Sequence, residues 1–275
     1  MNKVDSSRYA IKSVERAFEI VDLLCRRQAP VSNSEVAREL GINSNMSYRL
    51  LMTLCRTGYL RQIESETVRF GFTLKVLQTG IVALDRLEIR LRSVPFLQAL
   101  WSRFRSANVN LAVFENGKVI QVVRIDSERF PRTSSIPGRV LPIHATALGK
   151  ILVSELDSLE LHKYLGPEPF IKYTENTIDT YEKLKKELER VRNEGVAWDN
   201  GEEIPGDHCV ATAIRNKNRS VVGAISFSAL EIHVTPKELK EYTIPLIETA
   251  RSISESLGIS FTGNHSFNHT LCNKE

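Results

Sequence analysis

Five side chains in one short segment carry groups suited to reading a polar surface: Ser44, Asn45, Tyr48, Arg49 and Arg56. Winding a helix from Asn43 or Ser44 to about Thr57 at 100° per residue gathers them, with Met52, on one side. Met46, Leu50 and Leu54 then form an apolar stripe, with Ser47 and Thr53 at its edges and Leu51 beside it. Arg addresses guanine and Asn addresses adenine, so the outward set fits base edges in a DNA major groove. An ordinary amphipathic helix with a solvated polar face shows the same pattern. The neighbouring segments must decide between the two.

A second set lies far downstream. Alternation over Val221–Ser228 puts Ala224, Ser226 and Ser228 on one face, and over Cys209–Arg215 it groups Cys209, Ala211 and Ala213. Small and hydroxyl-bearing side chains leave room, which suits a pocket; a small-residue face packed beneath a helix is the alternative. Asp199 and Asp207 can accept hydrogen bonds from ligand hydroxyls or an amine. Asp199, followed by Asn200-Gly201, equally fits a turn cap. Ala145–Glu155 reads as a helix whose free N–H groups over Ala145–Leu148 favour an anion. His144, Glu202, Glu203, His208 and Cys209 have the chemistry of a zinc site or a Cys-His nucleophile pair. No two of them have His-Glu-x-x-His spacing, and adjacent His208 and Cys209 point to opposite faces of a strand. Catalysis is not expected, and no metal or cofactor is assigned. A zinc-binding second domain, or one that serves assembly alone, stays as the rival reading.

The elements that position the first set are short. Ser32 and Glu35 form a capping-box pattern that opens a helix over Ser34–Leu40, and Gly41 ends it. Gly58 stops the following helix. A pair of helices joined by a glycine turn is the helix-turn-helix unit, whose second helix enters the major groove. Ser13 is expected to cap an earlier helix, Val14–Arg27, with Val14, Ala17, Phe18, Val21 and Leu24 at helical spacing. Tyr59–Ile63 and Thr67–Phe72 flank Glu64-Ser65-Glu66 as a hairpin, which makes the unit a winged helix-turn-helix. The acidic wing tip is unfavourable near phosphates, so backbone contacts are assigned to Arg61 and Arg69, and Ser34 joins the DNA-contacting set.

Thr73 opens a further helix carrying Leu74, Leu77, Ile81 and Leu84 on one stripe, continued by Leu87 and Leu91. Another is expected over Pro95–Phe104, since proline is tolerated in a first turn. Val109–Phe114 and Val119–Ile125 flank Asn116-Gly117, a hairpin signal. Extended Gly138–Ile143, a charged helix over Thr180–Glu194 ending at Gly195, and strands at Val196–Trp198, Cys209–Arg215 and Val221–Ser228 follow. Thr235-Pro236-Lys237-Glu238 opens a helix to Leu257. The fold class is α+β: a winged helix-turn-helix domain (10–72), a helical linker and dimerisation segment (73–105), a domain on one antiparallel sheet (106–260) and a disordered tail (261–275). In that tail, His265, His269 and Cys272 are read as solvated and not as metal ligands.

The chain has 275 residues, 42% apolar and 25% charged, ordinary values for a soluble protein. No apolar run reaches membrane-spanning length and no signal peptide is visible, so a cytosolic location without membrane contact is expected. Cys25, Cys55, Cys209 and Cys272 form no CxxC pair. Residues 1–75 hold 12 Lys/Arg against 8 Asp/Glu, and the remainder holds 25 of each, so the net charge of +4 sits with the helix-turn-helix. That placement suits phosphate contacts, and its modest size calls for a dimer.

Ordered motifs now carry a resemblance. They are Ser13-Val14-Glu15-Arg16-Ala17, Glu35-Val36-Ala37, Leu40-Gly41, Tyr48-Arg49-Leu50-Leu51 and Gly58-Tyr59-Leu60. Downstream are Gly138, Leu141-Pro142-Ile143-His144-Ala145-Thr146-Ala147-Leu148-Gly149-Lys150, Gly195-Val196-Ala197, Asp199, Glu202-Glu203, Gly206, Cys209-Val210-Ala211 and Ala224-Ile225-Ser226-Phe227-Ser228. Over roughly Ala10–Ser260 the chain resembles the isocitrate lyase regulator (IclR) family of bacterial transcription factors. The resemblance implies a GAF-like effector domain, dimers that pair into tetramers, and repression or activation at operator DNA governed by a small metabolite, often a carboxylate or aromatic acid; repression and a carboxylate are the expected case. It places the effector against Phe130, Leu141, Ala147, Leu148, Asp199, Asp207, Cys209, Ser226 and Ser228. Asn43-Ser44 departs from the commoner Pro-Lys, and Asp207 stands where an apolar residue is usual.

Overall fold

Capping chemistry sets most helix boundaries in the computed structural model, which describes residues 10–64, 66–129 and 137–258. The chain divides in sequence into two units, the first running to Arg86 and the second starting at Leu87.

The first unit comprises α1 (Lys12–Arg27), β1 (Val31–Ser32), α2 (Asn33–Leu40), α3 (Ser44–Arg56), β2 (Leu60–Ile63), β3 (Arg69–Phe72) and α4 (Leu74–Asp85). Ser32 and Glu35 form the expected capping box, and Gly41 ends α2 in the left-handed region at φ 62°. Asn43 caps α3 by accepting the Met46 N–H at 2.8 Å. The wing strands β2 and β3 pair as expected, and β1, which sequence reasoning missed, adds a third strand with Val31 opposite Phe70. Ile20, Leu23, Leu24, Val31, Val36, Leu51, Leu60 and Phe70 form the core.

Details of this unit correct the sequence reading. No side chain caps α1: Ile11 holds the cap position and Ser13 lies inside the first turn. The buried stripe of α1 is Ile20, Leu23 and Leu24, while Val14 and Phe18 are exposed. Apolar residues occupy two sides of this helix, and only one side meets the unit's own core. The inward face of α3 centres on buried Ser47 and Leu51, with Met46, Leu50 and Leu54 as partly buried flanks. A serine is admissible there because its hydroxyl donates to the Asn33 carbonyl at 3.2 Å.

The second unit comprises α5 (Glu88–Arg103), β4 (Asn108–Glu115), β5 (Lys118–Ile125), β6 (Val140–Leu141), α6 (Ala147–Val153), α7 (Ser158–Leu165), α8 (Tyr181–Glu194), β7 (Val196–Asn200), β8 (Asp207–Arg215), β9 (Val221–Leu230), α9 (Pro236–Glu241) and α10 (Thr243–Ser256). The sheet order is β6-β5-β4-β9-β8-β7, with every pair antiparallel, so the architecture is α+β as expected. Asn116 and Gly117 turn the β4–β5 hairpin at φ 50° and 77°, which an Asn-Gly pair supplies at little cost. α5 packs on β4 and β5 and α10 on β8, while α6 packs on β7, β8 and β9. Leu148, Ile151 and Leu152 of α6 share a core with Ala112, Val119, Ala197, Ala211 and Ala224 of the sheet and Leu184, Leu188 and Val191 of α8.

The expected helix over Pro95–Phe104 begins instead at Glu88, with Pro95 inside it. Ile89, Ser93, Leu97 and Leu100 are buried on both sides of the proline, and that packing outweighs one missing N–H. Residues 73–105 are therefore divided, α4 falling in the first unit and α5 in the second. α6 starts at Ala147, two residues later than expected, because Thr146 takes the cap position. α7, capped by Asp157 and Glu160, was not foreseen. The helix opened by Thr235 and Glu238 breaks at Tyr242 into α9 and α10; Pro245 has no N–H to offer the Glu241 carbonyl. Phe130 and the tail beyond 258 lie outside the described residues. Among those residues, no helix is long and apolar enough to cross a membrane.

Candidate functional site

The polar side of α3 is open. Ser44, Asn45, Arg49 and Arg56 are exposed, and Tyr48 keeps 47% of its surface. Met52, expected beside them, is partly buried, and its sulfur accepts from Gln62 Nε2 at 3.1 Å. Ser34 is exposed on α2, its hydroxyl 3.0 Å from that of Ser32, and Arg61 is exposed on β2. Arg69 is tied down: it donates to the Pro30 carbonyl at 2.7 Å and pairs with Glu35 at 3.4 Å. Glu35 also meets Arg27, and its hydrogen bond from the Ser32 backbone N–H holds its carboxyl below the usual range. Part of the Arg69 charge is thus spent within the domain.

Register decides what shares a face in the second unit. Cys209 lies opposite Ser228 and Asp199, Ala211 opposite Ser226, and Asn110 opposite Ser226 on the far side of β9. The small-residue face expected from alternation is therefore continuous across four strands. Where it carries Ala112, Ala211 and Ala224 it is covered by α6, so the packed alternative holds at that end. Along the strands it becomes polar. Asn110 Nδ2 donates to Ser226 Oγ at 3.1 Å and Ser228 Oγ at 3.2 Å, and Asn110 Oδ1 accepts from Gln121 Nε2 at 2.8 Å. Asn108 Nδ2 donates to the Ser228 carbonyl at 3.1 Å. Both serine oxygens accept from Asn110, which leaves their protons to donate. Sequence reasoning missed Asn108, Asn110 and Gln121; the readable signal was an amide at inward positions of otherwise apolar strands.

Buried acids stand beside this network. Asp199 is 3% exposed, and its Oδ1 accepts the Glu202 N–H at 2.7 Å, so it does cap the Asn200-Gly201 turn. Burial pushes its carboxyl up to about 8, against that hydrogen bond, and the Glu202 charge adds to the rise. Burial pushes Asp207 up to about 6, with the Arg124 guanidinium opposing it. Asp207 Oδ1 is buried with no partner among the described residues. Cys209 Sγ lies 4.0 Å from Asp207 Oδ2, and burial pushes the thiol well above its usual range, the reverse of an activated nucleophile. Leu141, Ala147 and Leu148 are buried in the adjoining core.

Two further features frame the site. Lys150 Nζ, itself buried, donates to Glu202 Oε1 at 2.6 Å and to the Trp198 carbonyl at 2.7 Å, tying α6 to the β7–β8 connection. Arg139 pairs with Glu203 at 2.6 Å. α6 spans seven residues and Thr146 Oγ1 accepts the Gly149 N–H at 3.1 Å, so the helix start offers an anion less than expected. Among the described residues no three of His, Cys, Asp and Glu are grouped to hold a metal ion. What the arrangement offers is hydroxyl donors, amide donors and acids able to give or take a proton.

Two family models match the chain: the IclR helix-turn-helix domain over residues 13–64, and the bacterial transcriptional regulator IclR C-terminal domain over residues 81–255. The chain is 29% identical over 248 residues to the HTH-type transcriptional regulator XynR of Escherichia coli strain K12, covering 90% of this chain and 98% of that protein. It is 24% identical over 250 residues to the transcriptional repressor IclR of the same strain, covering 90% of each. The crystal structure of the Thermotoga maritima IclR matches with a TM-score of 0.64 at 28% identity, over 90% of this chain and 100% of that one.

Proposed function

Because the chain belongs to the IclR family of bacterial transcriptional regulators, we propose that it is a cytoplasmic repressor whose operator affinity is set by a hydroxylated carboxylate. The observation that carries the DNA half is the open polar side of α3, where Asn45, Tyr48 and Arg49 stand exposed on a helix capped by Asn43. In this reading Ser34, Asn45, Tyr48 and Arg49 face the groove, while Ser44, Arg56, Arg61 and what remains of the Arg69 charge face phosphates. The repressor named among the relatives supports the sign.

The effector sits against Leu141, Ala147, Leu148, Asp199, Asp207, Cys209, Ser226 and Ser228, with Phe130 added by family correspondence. Asp199 near neutral pH is mostly protonated and does not repel a ligand carboxylate, whereas Asp207 accepts from ligand hydroxyls. Closure around Ala145–Lys150 and Glu202–Cys209 changes the spacing of two recognition helices in a dimer. The dimer covers apolar faces that the first unit leaves open, Val14 and Phe18 on α1 and Leu74, Leu77 and Ile81 on α4, and two dimers pair into a tetramer.

A thermal-shift screen of hydroxy acids and aromatic acids, followed by DNA titration with each hit, tests this reading. A hydroxy acid should raise the melting temperature and weaken DNA binding. DNA binding that no acid alters would leave the second unit an assembly module.

A further inference from the structure

We infer that Asn33 is a positioning residue for DNA recognition, pinning the start of α3 so that the Ser44 hydroxyl donates to a phosphate oxygen of the bound duplex. The inference rests on the DNA-binding reading above. Asn33 Nδ2 donates to Ser44 Oγ at 2.8 Å and to the Ser44 carbonyl at 3.2 Å. A carbonyl can only accept, so the amide nitrogen must face Ser44, and the hydroxyl oxygen is the acceptor in this pair. Its proton is left to point elsewhere, and no acceptor for it stands among the described residues. Ser47, buried beneath, fastens the same joint by donating to the Asn33 carbonyl.

Two observations turn that proton toward DNA. Ser44 is exposed and is the first residue of α3, where the helix dipole favours negative charge. No lysine or arginine lies between Leu40 and Tyr48, so the donors that this first turn of α3 itself supplies are neutral. Phosphate contacts fix the register from which base contacts read sequence, so a slack joint here loosens the aim of Asn45, Tyr48 and Arg49.

The test uses a duplex that the wild-type chain selects from a random-sequence pool. Single methylphosphonate substitutions, each removing one phosphate charge, are scanned along it with wild type, Asn33→Ala, Ser44→Ala, Ser44→Thr and the Asn33→Ala/Ser44→Ala double variant. Wild type should lose roughly tenfold in affinity at one phosphate per half-site, the size expected for a hydrogen bond to a charged group. Ser44→Ala should abolish that sensitivity, Ser44→Thr should keep it, and Asn33→Ala should largely erase it. In the Ser44→Ala background, Asn33→Ala should cost little more. A Ser44→Ala scan like that of wild type overturns the inference, as do additive losses in the double variant. So does an Asn33→Ala chain that melts earlier yet keeps the wild-type scan, since that marks a purely structural role. If wild type selects no duplex at all, the DNA reading itself has failed.

Discussion

A carboxyl group that burial pushes up to about 8 changes which groups can stand beside it at neutral pH. The folded chain binds the Asp199 proton more tightly than an unfolded chain does, where an aspartate titrates near ~3.9. Its contribution to stability is therefore full below about pH 4 and is lost as pH rises toward 8. Asp199→Asn keeps an oxygen for the Glu202 N–H and removes the titration. The variant should gain melting temperature relative to wild type steadily from pH 5 to pH 8, as followed by circular dichroism. A difference that stays flat over that range would contradict the burial argument. On α3, Arg49→Ala should cost about 1–3 kcal/mol and relax sequence preference, whereas Arg56→Ala should weaken all duplexes alike and lower the salt slope by about 1. Anisotropy titrations of matched and scrambled duplexes at several salt concentrations separate the two. Preference intact in Arg49→Ala would mean that α3 presents another side.

The Lys150–Glu202 pair joins α6, which carries the proposed contacts Ala147 and Leu148, to the β7–β8 connection that separates Asp199 from Asp207. Lys150→Met leaves a buried carboxylate without its partner and should destabilise the chain by about 3–5 kcal/mol; adding Glu202→Leu should recover much of that loss. Urea unfolding of the single and double variants measures both, and a double variant no more stable than the single one would argue against the pair. Gly149 belongs to the same joint, since a Cβ there would fall 2.5 Å from the Ile143 carbonyl oxygen. How far these elements were legible depended on how local their causes are. The Ser32/Glu35 and Thr235/Glu238 boxes, the Asn116-Gly117 turn and the Gly41 and Gly195 stops act within a few residues, and sequence placed them. The run of α5 through Pro95, the exposed Val14 and Phe18, and the Ser47-centred face of α3 depend on what packs against them. The Asn110–Gln121–Ser226 network draws on three strands, so register alone brings it together.

The surplus charge of +4 lies wholly in the first 75 residues, ahead of a balanced remainder, which is the distribution a DNA-reading end and a metabolite-reading end require. Neither unit alone makes a switch: full transfer between bound and free operator needs the effector to favour one state by roughly 5 kcal/mol. In the proposed dimer two copies span the half-sites and α4 is the proposed seam, with Leu74 at 78%, Leu77 at 55% and Ile81 at 44% exposure. Leu77→Glu with Ile81→Glu should shift sedimentation toward monomer and weaken DNA binding at least as strongly; a variant that sediments like wild type would place the seam elsewhere. The most direct test of the central claim is a titration of the full chain, at physiological salt, against a duplex from its own promoter region and a scrambled duplex of equal composition. The account predicts at least ~10³-fold tighter binding to the promoter duplex, the lower bound for specific recognition. Equal affinity for the two would contradict it.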